Sequence, residues 1–470
     1  MGPPPMVAAA TESCREVVVR LRDAGASVVI VEDRSECVVG IVTEQDVSRR
    51  IACGHRDDAP IGSVMSAPVL TISENDYLYR GIARMRRRGL RHMPVTDDRD
   101  RIVGMLELHD AMAVAAERML GHVDRLSHED DLQGMKAAKE AQSQVALELM
   151  DDALPGPEIQ TLLSRMNNDL YRGVVRLCLR DMDASGLGRP PVDFDVVVMG
   201  SGGRGESFLR PDQDNGFVIE DYPETEHSRI DEWFIELAVR VTDALAEVGF
   251  EYCNGHVMAT NPLWRKTLSE WREQTRIWMG RSQGLGLRYC DIFFDFDCVF
   301  GGGSLTDRLR THISALAPHP FFLRELFKVD EEHGVALGLF DRLKRDPLPG
   351  PDQGKLNLKL TGTLPLVGAV RILALRERVR ETGTLNRMAR LHGSGVLDDD
   401  EHDYLAGAYR HISRLLLRQQ LESYRSGQTP GNHVPLEALS EREKDMLVDA
   451  FKAIRGFRSR VRHELLADFL

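Results

Sequence analysis

The residues best suited to do chemistry lie in DFDVVVMGSGGRGESFLRPDQDNGFVIED (193–221). Gly200, Gly202 and Gly203 let backbone approach a phosphate chain closely, and Ser201 adds a hydroxyl and an N–H to such a cradle. Asp212 and Asp214 stand two apart at the start of an expected strand, so both carboxylates project from one face while Gln213 turns to the other. Paired hard carboxylates together with phosphate oxygens form the donor set that Mg²⁺ prefers. Two such ions can activate a hydroxyl and stabilise departing pyrophosphate. The turn is no P-loop, since no Lys follows, and no dinucleotide turn, since the Asp pair sits too near. A third carboxylate is sought in YCDIFFDFDCVFG (289–301), where Asp291, Asp295 and Asp297 alternate onto one face of an expected strand.

Gly200-Ser201, ten intervening residues, then Asp-x-Asp resembles the polymerase-β-like nucleotidyltransferases. GRPPVDF, GSGGRGE, DQDN, CNGHVMATNPLWRKTLSEW (253–271) and IFFDFDCVFG further resemble a bacterial family of CBS-linked nucleotidyltransferases related to the PII uridylyltransferases and catalogued as a domain of unknown function. The resemblance implies a Mg²⁺- or Mn²⁺-dependent enzyme that moves a nucleoside monophosphate from an NTP to a hydroxyl and releases pyrophosphate. A protein such as PII is a candidate acceptor. The resemblance also implies the third acid at Asp295, joining Asp212 and Asp214 as catalytic and metal-binding residues, with Gly200, Ser201, Gly203, Arg204 and Glu206 at the nucleotide. The family usually has Arg where this chain has Asp297. Arg204 has two readings, neutralising triphosphate or pairing with Glu206. The rival to the enzyme is a protein that senses nucleotide without turnover. The HD and ACT modules of PII uridylyltransferases are not evident.

The elements that position this site begin with an internal repeat. Gly25, Gly40 and Asp46 recur as Gly89, Gly104 and Asp110, each displaced by 64 residues. Each unit reads as helix, Gly stop, strand, acidic turn, strand and helix. G-x-V-T-x-x-D (Gly40–Asp46) and G-x-L-E-x-x-D (Gly104–Asp110) resemble the CBS pair. The resemblance implies an adenine nucleotide held by Thr43, Asp46 and Asp110, with Glu107 replacing the second hydroxyl. Thr43 and Asp46 equally fit a helix cap. The expected architecture is α/β and α: a tandem CBS pair (1–120), a helical connector (121–190), a nucleotidyltransferase α/β domain (191–304) and a C-terminal helical bundle (305–470). The connector is read either as a mechanical link or as a spacer. Lys355 and Lys359, near the start of the bundle's GKLNLKLTGTLPLVGAV stretch, are read as solvated, with phosphate contact as the alternative. Trp264, Trp271 and Trp278 recur every seven residues, as along one helix face.

A net charge of −13 argues against general nucleic-acid binding. Seven scattered Cys without a CxxC pair suggest reduced thiols in the cytoplasm. Cys253 and His256 have metal spacing but no second pair. No apolar run approaches the ~18 residues of a membrane helix, and MGPPPM has no signal-peptide character. A homodimer through the CBS repeats or the helices is expected.

Overall fold

A computed structural model describes residues 5–467 except 25, 27, 34–37, 44–45, 48–49, 51–57, 75, 77–80, 82–83, 86–87, 98–100, 109–130, 152–153, 281–290, 317 and 346–351. The chain divides into two compact units, Met1–His122 and Val123–Leu470.

In the first unit, β1 (Met6–Ala9) runs parallel to β2 (Val28–Glu32), which pairs antiparallel with β3 (Val38–Thr43). The second repeat copies this with β4 (Ile72–Ser73), β5 (His92–Thr96) and β6 (Ile102–Glu107). The register itself repeats. Val28 faces Thr43 and Val31 faces Gly40, as His92 faces Glu107 and Val95 faces Gly104. Both pairs of strands carry their irregularity at the same place, after Val31 and after Val95. The 64-residue displacement therefore survives at the level of strand pairing. Alternation on β2 sends Val29 and Val31 into a core with α1 (Cys14–Ala24), while Val28 and Ile30 meet Met105 of the other repeat.

The second unit is built on a mixed sheet, β10 (Asp297–Phe300), β7 (Phe194–Val198), β8 (Asn215–Ile219) and β9 (Arg265–Thr267), in that order. Every residue of β7 and β8 is buried, because both faces are covered and the strands read as continuous apolar runs. Val196, Val198, Phe217 and Ile219 face a layer formed by α2 (Leu132–Asp151), α3 (Gly156–Ala184) and α4 (His227–Val248). Val197, Met199 and Val218 face the C-terminal helices. The expected connector is thus not a separate spacer: α2 and α3 bury Met135, Leu170, Val174 and Val175 in the sheet's own core. The stretch 109–130, including the expected first connector helix, lies outside the described residues.

The Trp expectation needs correction. Trp264 closes a short turn (Pro262–Trp264) capped by Asn261, whose side chain accepts from the Leu263 N–H. β9 intervenes, pairing with β8, before α5 (Leu268–Gly280) carries Trp271 and Trp278. Arg265–Thr267 satisfy their backbone across the sheet, so no continuous helix face exists. The three rings still meet at 6.2–6.5 Å, and Trp271 stacks on Phe293 at 4.7 Å. This cluster seats the segment that carries the acids before β10.

The C-terminal run follows as α6 (Ser304–Ala315), α7 (Pro320–Asp330), α8 (Leu364–Arg376), α9 (Thr384–Gly393), α10 (Asp399–Arg425) and α11 (Glu441–Ala467). Asp195 of β7 ties it to the sheet by accepting from the Gly303 and Thr306 N–H groups at the start of α6. A two-stranded ribbon, Leu356–Asn357 with His433–Val434, interrupts the otherwise helical expectation.

Candidate functional site: an acid pair beside a glycine turn

After β7 the chain makes one helical turn, Gly200–Gly203, and Gly200 enters it at φ +58°. The Met199 N–H donates to the Asp214 carbonyl at 2.8 Å, which holds the turn beside the acid pair. A Cβ on Gly200 would lie 3.1 Å from Asp214 Oδ2, so this carboxylate rests against the turn. The Gln213 N–H donates to the Glu251 carbonyl, and its buried side-chain amide donates to the carbonyls of Thr242 and Phe250. Gln213 is anchored inward, but the acids do not lie on the regular strand that their spacing implies: β8 begins at Asn215, and the Asp214 N–H turns back to the Asp212 carbonyl at 3.2 Å.

Burial pushes the Asp214 carboxyl up to about 6. A hydrogen bond from Cys253 opposes the rise, Asp212 adds to it, and Lys359 and Arg204 oppose it. Asp212 is also raised, by burial first; Lys359 pulls it down and Glu251 pushes it up. Lys359, on the turn Lys359–Thr363 that precedes α8, therefore exerts its field on both acids. Lys355 instead pairs with Asp352. The Cys253 thiol, pushed up to about 11 by burial and then by Asp214, serves the acid pair.

The third acid departs from expectation. Asp291, Asp295 and Asp297 do not share a strand face, because β10 begins only at Asp297; Asp291 is helical and Asp295 lies in the turn that follows. Asp297 opens β10 opposite Val198, is more than half exposed and lies 3.7 Å from Arg310. Asp295 is fully buried. Its Oδ2 accepts from Arg204 Nη1 at 2.7 Å and Arg371 Nε at 3.0 Å, and its Oδ1 from Arg387 Nη1 at 2.6 Å. Both oxygens are spent on arginines, so Asp295 stands here as the counter-ion of a cage rather than as a free ligand. Arg371 also pairs with Asp291, whose neighbour Ile292 would lie 3.6 Å from a Cβ on Gly200.

Arg204 and Glu206 are drawn into the same cage. Arg204 Nε donates to Glu206 Oε2 at 2.6 Å, and both carboxylate partners raise the guanidinium's pKa against burial. Glu206 Oε1 accepts from the Thr384 N–H at 2.5 Å. The salt-bridge reading of Arg204 is realised. Arg371 and Arg387 were missed. The signal for Arg371 was a lone Arg in the apolar run LPLVGAVRILAL; nothing local marked Arg387.

Gly203 joins cage and turn. A Cβ there would meet the Asp295 carbonyl at 1.8 Å and the Val198 carbonyl at 2.8 Å, whereas at Gly202 the nearest atom is 3.6 Å away. Gly203→Ala should therefore cost about 1–3 kcal/mol or more and lower the melting temperature by several degrees. Gly202→Ala should melt close to the parent. Equal melting of the two would remove Gly203 from this role.

Asp212 and Asp214 suit a hard divalent cation, being acceptor-only groups whose charge burial penalises and which, among the described residues, no protein cation pairs directly. Among the described residues no three His, Cys, Asp or Glu side chains converge as a metal site, so the pair would need substrate oxygens and water to complete the shell. In the repeats, Thr43 and Asp46 bond reciprocally. Thr43 Oγ1 and N–H donate to Asp46 Oδ2 at 2.9 and 3.0 Å, and Ser66 Oγ donates to Oδ1 at 3.3 Å. The capping reading is realised, and a ligand would have to share these groups. Asp110 lies outside the described residues.

Comparison with known proteins agrees with this layout. The family described as "Putative nucleotidyltransferase DUF294" matches residues 140–284, "Putative nucleotidyltransferase substrate binding domain" matches 320–465, and "CBS domain" matches 1–53 and 61–117. The chain belongs to this CBS-linked nucleotidyltransferase family. An uncharacterised protein of Methanopyrus kandleri, MK0525, is 33% identical over 107 residues, 22% of this chain and 54% of that protein. The chain thus spans about half the length of that curated relative. Among solved structures, a CBS domain protein from Pyrobaculum aerophilum complexed with AMP shares 26% identity over 23% of this chain and 85% of its own, with a TM-score of 0.22. The CBS pair of protein MJ0100, in complex with 5′-methylthioadenosine and S-adenosyl-L-methionine, shares 23% over 25% and 93%, with a TM-score of 0.23. Among the described residues no helix is long and apolar enough to cross a membrane.

Proposed function

We propose that the second unit transfers a nucleoside monophosphate from an NTP to a hydroxyl acceptor, in the manner of the PII uridylyltransferases, in the cytoplasm. The observation that carries this reading is the Asp212–Asp214 pair set against the Gly200 turn, both acids raised by burial and both under the field of Lys359. The turn's backbone and Ser201 would receive the triphosphate, and Lys359 would offset the charge that gathers on it. Asp212 and Asp214 would hold Mg²⁺ or Mn²⁺, which when bound supplies Lewis-acid stabilisation of the phosphoryl oxygens. The Asp295 cage holds the turn and the C-terminal helices in fixed relation, so the phosphates and the acids meet in one geometry. Pyrophosphate release from each NTP with Mg²⁺, in the presence and absence of a protein lysate, tests this. No release with any NTP would leave the rival reading, nucleotide sensing without turnover, which the engaged state of Asp295 favours.

The CBS pair is proposed to bind an adenine nucleotide through Thr43 and Asp46 and to tune the transferase, the full chain acting as a homodimer. Thr43→Ala with Asp46→Ala should weaken AMP or ATP binding and erase regulation, with basal turnover near normal. Coupling of this kind is about 5–150-fold in affinity. The double variant also loses the cap, at a cost of about 0.5–2 kcal/mol confined to the first unit. Unchanged titration of AMP, ADP and ATP into the variant would remove both residues from the ligand.

A further inference from the structure

The turn that carries Lys359 is held from outside by polar side chains of the two-stranded ribbon. In this turn the Leu364 N–H reaches back five residues to the Lys359 carbonyl, a rare geometry that recurs at functional sites. Asn357, which ends the strand leading into it, makes three contacts. Its Oδ1 accepts from the Leu360 N–H at 3.0 Å, its carbonyl accepts from Thr361 Oγ1 at 2.8 Å, and its side-chain amide nitrogen lies 3.3 Å from His433 Nε2, directly across the ribbon. His433 Nδ1 lies 3.2 Å from Asp352 Oδ2, while Asp352 Oδ1 accepts from Lys355 Nζ at 2.8 Å. A carboxylate beside Nδ1 favours the proton there and leaves Nε2 as the acceptor for the Asn357 amide. The amide is thereby oriented with its oxygen towards Leu360. The same ribbon is fastened to the acid pair. The Leu358 N–H donates to the Asn432 carbonyl at 3.1 Å, and Leu358 itself is fully buried. Gln420 of α10, also buried, donates to Asn432 Oδ1 at 3.2 Å and accepts from the Leu209 N–H at 3.3 Å. Leu209 stands in the segment that joins the glycine turn to Asp212.

The backbone next to Lys359 therefore depends on which way the Asn357 amide points, and His433 sets that direction. Were the amide to turn over, Oδ1 would leave the Leu360 N–H, and the turn would lose its bond at the residue after Lys359. We propose that His433 is a positioning residue for Lys359: through Asn357 it holds the turn so that the ammonium meets the phosphates of an NTP at the acid pair. This rests on the reading of Asp212 and Asp214 as a nucleotide site, with or without turnover. His433 itself touches no reacting atom. Of its two nitrogens, only Nε2 acts on the turn; Nδ1 serves to keep the ring in the tautomer that accepts.

The test is calorimetric titration of the full chain with ATP, GTP, CTP and UTP in Mg²⁺, with thermal melts alongside. The NTP followed is one whose binding Asp212→Asn with Asp214→Asn weakens, which separates this site from the CBS pair. Lys359→Ala should weaken that binding by about tenfold, the loss of one charge-assisted contact. His433→Leu removes both nitrogens, and His433→Asn keeps only the donor towards Asp352; each should weaken binding by about fivefold or more. His433→Gln, whose side-chain oxygen replaces Nε2 as acceptor, should bind within about twofold of the parent. Lys359→Ala with His433→Asn should bind no more weakly than Lys359→Ala alone, because both act through one ammonium. A purely structural role would instead follow the melting temperatures and add to the effect of Lys359→Ala. His433→Asn binding like the parent, His433→Gln binding as weakly as His433→Leu, or additive losses in the double variant would overturn the proposal. Binding that needs the acid pair but ignores Lys359→Ala would overturn it and leave the nucleotide site standing. If no NTP depends on the acid pair, the nucleotide reading fails and this proposal with it.

Discussion

Asp212→Asn combined with Asp214→Asn is expected to lower pyrophosphate release by about 10³-fold or more, since the metal these acids would hold supplies several kcal/mol of charge stabilisation. The same change should make the metal-free protein more stable at neutral pH. The Asp214 carboxyl stands near 6 in the fold and about 4 in the unfolded chain. Between those values the unfolded chain gives up its proton first, so folding stability falls as pH rises through this window. Above about pH 6 the cost is complete. A shift of about two units sets a ceiling of ~3 kcal/mol, and partial exposure brings the expected gain of the Asn variant to ~1–2 kcal/mol. The gain should fade as pH falls towards 4, and Mg²⁺ with NTP should reverse it by favouring the parent. Thermal melts across pH 4–8 beside a turnover assay read both effects. Wild-type turnover in the double variant would end the site assignment.

The second large effect is on the fold. Asp295→Ala removes the carboxylate that Arg204, Arg371 and Arg387 share and leaves buried guanidiniums without it. Breaking a buried ion cluster in this way costs about 3–5 kcal/mol. Asp291→Ala and Asp297→Ala act on partly or largely exposed acids and should each cost ~1 kcal/mol or less. Asp295→Asn combined with Arg387→Met should recover part of the loss, because it removes a charge along with its partner. Urea denaturation of the set decides the matter. An Asp295→Ala protein that unfolds like the parent yet no longer binds NTP with Mg²⁺ would return Asp295 to the metal and dissolve the cage.

Much of the site was legible in residues close together in the chain. Gln213 between Asp212 and Asp214 turns inward as expected, although β8 begins only at Asn215 and the Gln213 side-chain amide is held by the carbonyls of Thr242 and Phe250. The 64-residue repeat carried over into strand register because each strand's inward and outward residues recur at the same offsets. The Trp spacing misled, since a period of seven describes a helix face only where the backbone is free to stay helical; Arg265–Thr267 bond to β8 instead. The connector misled for a related reason. Amphipathic helices announce that one face is covered, not by what, and α2 and α3 proved to be part of the sheet's own core.

What the sequence determined by itself is the donor set that near neighbours make: a glycine turn, a pair of carboxylates and a duplicated CBS motif. The tertiary structure decided which charges are free. Arg371 and Arg387 reach Asp295 across 76 and 92 residues of chain, and Arg204 reaches it across 91. An acid's role depends on what neutralises it, and that is set by helices arriving from elsewhere in the fold. Asp214 takes a hydrogen bond from Cys253 and feels Lys359 only through its field, while Asp295 is closed by three guanidiniums and becomes a strut.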